Sequence, residues 1–204
     1  THSAPTQPAA LAPNDRPPVP LAQRAIVGDF ELQDEIGRGA MGRVYRAVQR
    51  SSGDIVAVKT MALAREFDGF ALQEAQQRFQ REAIAASRLQ HPDIVRILET
   101  GDQDGVVWIA MELLHGHDLV RHTADGQLLP VPLALEVCAR IASALAHAHA
   151  HGVVHRDVKP ANVMVDLDPA LRRRPGVKVT DFGIARITDA ARTRTGLVLG
   201  SPSY

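Results

Sequence analysis

The chain has 204 residues, 45% of them hydrophobic, enough for one buried core rather than two. Its 23 basic and 23 acidic residues cancel to a formal net charge of zero, which leaves no electrostatic footprint for nucleic acid; no nucleic-acid partner is expected. The one cysteine, Cys138, excludes an intramolecular disulfide and reads as a buried small hydrophobe in a reducing compartment.

No run approaches the roughly 18 consecutive apolar residues of a membrane span, and the start lacks a signal-peptide layout. A cytoplasmic segment without a span is expected, in a parent protein that a segment elsewhere could tether to a membrane. The chain opens on Thr1 rather than Met and stops at Tyr204, so both ends read as cut.

Residues 1–24 hold six prolines among Ala, Gln and Ser with no apolar period, and 1–27 reads as a disordered Pro/Ala-rich linker. From Gly28 short strands follow: Phe30 to Ile36, a glycine turn, Arg43 to Gln49, the turn Ser51-Ser52-Gly53-Asp54, then Ile55 to Thr60. Between about Ala71 and Gln90 the period lengthens to 3.6, which predicts a helix. Ile94 to Thr100 and Val106 to Glu112 flank a polar loop and read as a hairpin. A second helix is predicted from Pro132 to His151, with Val137, Ile141, Leu145 and Ala148 at helical spacing and Gly152 ending it. Two short strands, Val163 to Asp166 and Val177 to Thr180, bracket a turn containing Arg172-Arg173-Arg174, which reads as a solvated tip.

Gly37-Arg38-Gly39-Ala40-Met41-Gly42-Arg43-Val44 lies between two strands, where glycines permit a tight turn whose N–H groups approach phosphate oxygens. The next strand carries Val56-Ala57-Val58-Lys59, and alternation puts Ala57 and Lys59 on the face under that turn. Glu82 falls within the apolar stripe of the following helix, between Phe79 and Ala86, where a lone carboxylate is costly; Lys59 is its expected partner. His147 and His151 are i,i+4 neighbours while His149 faces elsewhere, and packing or solvated histidines are expected rather than a metal site.

The strongest signal is His155-Arg156-Asp157-Val158-Lys159-Pro160-Ala161-Asn162, followed after two strands by Asp181-Phe182-Gly183. With the glycine turn and Val-Ala-Val-Lys59, these runs resemble the protein-kinase signature set, and the finer texture resembles bacterial eukaryotic-type Ser/Thr kinases. The resemblance covers about Gly28 to Tyr204. It implies an α+β, bilobal protein kinase-like fold: a five-stranded antiparallel N-lobe with one helix (28–112), a hinge (112–116) and a mainly helical C-lobe (117–204) truncated at the activation segment, just short of an Ala-Pro-Glu-like motif. It also implies ATP and Mg²⁺ as cofactors, protein substrates bearing Ser or Thr, and a kinase-domain dimer as an arrangement for autophosphorylation.

Residue roles follow from the same resemblance. Asp157 matches the aspartate that accepts the substrate hydroxyl's proton, and Lys159 the lysine on the transferred phosphoryl group, a residue typical of the Ser/Thr branch. Asn162 and Asp181 match the Mg²⁺ ligands, and the Lys59–Glu82 pair aligns the α- and β-phosphates. Met111 matches the gatekeeper, the Glu112 carbonyl and Leu114 N–H face adenine, and Ile36, Val44, Ala57 and Met164 sandwich the base. Thr193 and Thr195 fall where such kinases carry activating phosphates, for which Arg156 is the expected cation. A member of the fold that binds nucleotide without catalysis is the alternative, and the complete motif set weighs against it.

Overall fold

The computed structural model describes residues 25–39, 42–65, 67–103, 105–167 and 176–182. Most of the expected linker, Ala40, Met41, the arginine run, Gly183, Thr188, Thr193 and Thr195 lie outside the described residues.

The larger sheet contains β1 (Ile26–Val27), β2 (Phe30–Gly39), β3 (Gly42–Gln49), β4 (Ile55–Ala62), β5 (Ile97–Gln103) and β6 (Val106–Glu112). Their order is β1-β2-β3-β4-β6-β5, antiparallel throughout. The sheet therefore has six strands where five were expected, and begins inside the stretch read as linker. Ile26 pairs with Glu31 and Val27 with Phe30, and the Leu32 N–H donates to the Ala25 carbonyl at 2.9 Å. Two residues are too few to show alternation, so the edge strand left no signal in the sequence.

One face of this sheet closes over Phe30, Leu32, Ala47, Val56, Val58 and Trp108. The other receives α1 (Gly69–Ser87), whose buried residues Ala75, Phe79, Ala83 and Ala86 form its packing stripe. Phe79 is fully buried against Met61, Val107 and Ile109, and burial of such a side chain contributes about 1.5–3 kcal/mol.

After α1 the chain does not enter β5 at Ile94, as the apolar pattern suggested. Ile94 and Val95 turn aside to the smaller sheet, built from β7 (His117–Asp118), β8 (Val163–Asp166) and β9 (Gly176–Val179). The Val95 N–H donates to the Val179 carbonyl at 3.0 Å, and the Val179 N–H to the Asp93 carbonyl at 2.8 Å.

The second helix, α2 (Val131–Ala150), has Pro132 in its first turn and packs Val137, Ala144 and Ala148 inward. By length and composition it could cross a membrane, an exception among the described residues to the expected absence of such a stretch. It is nonetheless docked: Ala144 and Ala148 lie in one cluster with Ile94, Val179 and Phe182, and Arg140 pairs with the buried Asp93 through two guanidinium nitrogens, Nε at 3.0 Å. Cys138 is exposed on the opposite side, not buried as expected, because Val137 and Ile141 take the inward positions of that turn.

Candidate active site

β4 runs between β3 and β6 with both faces covered, so its alternation has two consequences. Val56 and Val58 complete the core with Trp108, while Ala57 and Lys59 line a cleft of about 440 Å³. Ile36, Gly37 and Val44 close that cleft from above, and Met164 and Asp181 from below. Met111, Glu112, Leu113 and Leu114 form its back edge. Sequence reasoning had given no role to His117, Asp118 and Thr180, which complete the lining with Gly116 and Ala161.

The upper wall is shaped by a glycine that no other residue can replace without strain. Gly42 has φ +129°, and a Cβ there would meet the Thr60 carbonyl oxygen at 2.1 Å. Gly39 and Gly42 face each other at the end of the β2–β3 ladder. Beside them Arg38 donates to Glu35 through Nε at 2.7 Å and Nη2 at 3.0 Å, and Arg43 lies 3.6 Å from the same carboxylate. Both arginines are thus held at the base of the loop rather than in the cleft lining.

The floor is built around His155, which is fully buried. Its Nε2 pairs with the Thr180 carbonyl at 2.8 Å and its Nδ1 accepts the Asp157 N–H at 3.3 Å. The two partners together assign the neutral Nε2–H tautomer. Burial pushes the His155 pKa down, and the Thr180 carbonyl, Asp181 and Asp157 oppose that only in part. The ring also packs against Phe182 with centroids 4.6 Å apart.

Asp157 is held from two further sides. Lys159 Nζ lies 2.7 Å from its Oδ2, and Asn162 Nδ2 donates to Oδ2 at 3.0 Å and to the Asp157 carbonyl at 2.8 Å. The Asn162 carbonyl accepts the Thr180 N–H at 2.9 Å, which brings Asn162 next to Asp181. Both Arg156 and Asp181 adopt left-handed backbone conformations, φ 66° and 62°. Among the described residues these are the non-glycine positions with positive φ, and such strain, of order 1–3 kcal/mol each, persists where surrounding structure enforces it.

The expected Lys59–Glu82 pair is replaced by two others. Lys59 Nζ lies 2.8 Å from Asp181 Oδ2, and Glu82 Oε1 lies 3.6 Å from Arg156 Nη1. Ala83 is buried in the sheet core, and Glu82, one position along the helix, is partly exposed on the side that meets Arg156. Lys59 is buried and needs an anion, and Asp181 supplies it.

The donor set suits a hard divalent cation. Asn162 spends its Nδ2 on Asp157, leaving the amide oxygen, and Asp181 offers a carboxylate beside it. Among the described residues no group of three or more His, Cys, Asp and Glu side chains could hold a metal ion alone, and Mg²⁺ needs none where one or two carboxylates act together with phosphate oxygens.

Comparison with known proteins places this geometry in context. The Ser/Thr-protein kinase pkn3 of Myxococcus xanthus is 40% identical over 187 residues, covering 89% of this chain and 33% of that protein. The Ser/Thr-protein kinase PrkC of Bacillus subtilis is 39% identical over 186 residues, covering 90% of this chain and 27% of that protein. The chain thus spans a third or less of the length of these relatives. Among solved structures, the kinase domain of Mycobacterium tuberculosis PknI superposes with a TM-score of 0.68 at 35% identity, covering 80% of this chain and 63% of that one. The sequence description of the family "Protein kinase domain" matches residues 30–204, from the first residue of β2 through the cleft and beyond Asp181, and the chain belongs to that family.

Proposed function

We propose that the protein containing this chain is a Ser/Thr protein kinase that transfers the γ-phosphoryl group of ATP to protein hydroxyls. The observation that carries the reading is the fixing of the Asp157 carboxylate by Lys159 at 2.7 Å and Asn162 at 3.0 Å, with Asn162 bonded in turn to Thr180, which lines the cleft beside Lys59 and Asp181. Relatives 38–40% identical are named Ser/Thr kinases, which supports the same reading.

In this reading Asp157 accepts the proton of the substrate hydroxyl and aims its oxygen, a positioning role worth several powers of ten in rate. Lys159 and Lys59 supply fixed positive charge at opposite ends of the phosphate chain. Ala57, Val44, Ile36 and Met164 provide apolar walls for the base, and Glu112 and Leu114 its polar edge. Asn162 and Asp181 would hold Mg²⁺, which would neutralise phosphate charge there. Glu82 orders the site from α1. We further propose a cytoplasmic setting, in keeping with the single cysteine and the need for ATP, and pairing of two kinase domains for autophosphorylation at Thr193 or Thr195.

The test is phosphoryl transfer by the intact kinase. Lys59→Met and Asp157→Asn should each lower kcat by about 10²–10⁴ with melting temperature nearly unchanged. Near-normal autophosphorylation by Asp157→Asn would overturn the role given to Asp157. Nucleotide binding without turnover by the unaltered protein would favour the non-catalytic alternative.

A further inference from the structure

We infer that Lys178 is a positioning residue for nucleotide binding, acting through the side chain of Glu112; the inference rests on reading the cleft as a nucleotide site. Lys178 lies on β9, and its Nζ is 2.5 Å from Glu112 Oε1 and 3.2 Å from the Ile94 carbonyl. Glu112 ends β6 and forms part of the back edge of the cleft. Its carboxylate also accepts the Arg96 N–H at 2.8 Å, while its own N–H donates to the Arg96 carbonyl at 3.0 Å.

The geometry separates the two functions of Glu112. Its side chain meets Lys178 in a second cleft of about 460 Å³ behind the connection, lined also by His91, Arg96 and Ile97. Lys178 does not line the nucleotide cleft, so its ammonium acts on the nucleotide only through what it holds. What it holds is Glu112, whose carbonyl together with the Leu114 N–H is the edge offered to the base. The ladder opposite Val56 and the Arg96 backbone hold Glu112 in the larger sheet, and Lys178 adds a tie from there to β9 of the smaller sheet. Freezing that edge lowers the ordering that binding would otherwise require. Because β9 ends two residues before Asp181, the same lysine fixes the distance between the base edge and the cation-binding carboxylate.

Both partners are about a quarter exposed, so the effect is modest and readable as a ratio. In the intact kinase, Lys178→Met should raise KM for ATP about three- to tenfold while kcat changes less than twofold. Glu112→Gln should give the same shift, and the double variant no more than either single one. Lys178→Arg should restore most of the affinity. If Lys178→Met folds poorly, the reversed pair Glu112→Lys with Lys178→Glu takes its place and should recover KM relative to Glu112→Lys alone. An unchanged KM in Lys178→Met, additive effects, or a rise in kcat with KM unmoved would overturn the inference. ATP binding by the unaltered protein is measured first, so that failure of the nucleotide site itself is distinguished from failure of Lys178 to act on it.

Discussion

Arg156 Nη1 lies 3.6 Å from Glu82 Oε1, so the cation that precedes Asp157 is already engaged by helix α1. Lys59 meanwhile holds Asp181, the carboxylate assigned to the metal. For Glu82 to align the phosphates it must exchange Arg156 for Lys59, whose ammonium has three donors and can meet Glu82 beside Asp181. Glu82→Gln in the intact kinase should therefore lower kcat by about 10-fold or more while nucleotide affinity falls less. Steady-state kinetics beside equilibrium binding of a fluorescent nucleotide would show the split. Unchanged kcat would mean that the exchange does not occur.

Thr193 and Thr195 enter through the same arginine. The Arg156–Glu82 pair is partly exposed, with side chains 42% and 20% accessible, and such pairs are worth about 0–1 kcal/mol. A phosphate carrying nearly two negative charges competes well against it. Mass spectrometry of active enzyme should find phosphate on one of the two threonines, and replacing both by alanine should cut activity on an added substrate at least several-fold. Active enzyme with both threonines unmodified would exclude this coupling.

Gly42→Ala tests the upper wall. The new methyl would sit 2.1 Å from the Thr60 carbonyl oxygen, and alanine resists φ +129°. The β3–β4 ladder must shift, at a cost of about 1–3 kcal/mol. Melting temperature should fall and KM for ATP should rise. Gly39→Ala, with nothing within 4 Å of its Cβ, should leave the melting temperature nearly unchanged, which makes the comparison specific.

The runs that carry chemistry were legible because each is contiguous: Asp157, Lys159 and Asn162 lie within six residues, and the structure gathers them as the spacing implied. Ala57 and Lys59 were legible through strand alternation. Less visible were contacts between distant segments, since nothing in a sequence links Lys178 to Glu112 or Arg140 to Asp93. The Glu82 partner was misread for a finer reason. Adjacent helical positions differ by about 100°, so Glu82, next to the buried Ala83, stands to one side of the packing stripe, where Arg156 meets it.

A pH dependence follows from His155. Its neutral ring both donates to Thr180 and accepts from Asp157, and burial holds its pKa below the ordinary 6.5. The unfolded chain then binds the proton more readily, so stability is whole above pH 6.5 and falls as pH drops below it towards the folded-state value. Burial lowers His147 and His117 in the same sense, aided by His151 and His91 in one case and Arg121 and His122 in the other. Melting temperature should decline on acidification from about pH 6.5, and His155→Gln should flatten that slope whatever its effect at neutral pH. An equal slope in the variant would remove His155 as a contributor.

Ala86, near the C-terminal end of α1, packs with Ile94, Ala144, Val179 and Phe182, which makes that end the natural fulcrum of the helix. Counted at about 1.5 Å per residue, Glu82 stands about 7 Å from Ser87 and Gly69 about 27 Å from it. A swing of about 10° would carry Gly69 through about 5 Å but Glu82 through only about 1 Å. Whatever grips the far end of the helix thus works with a mechanical advantage of nearly four, and a coarse push there becomes a fine adjustment of one carboxylate between two cations.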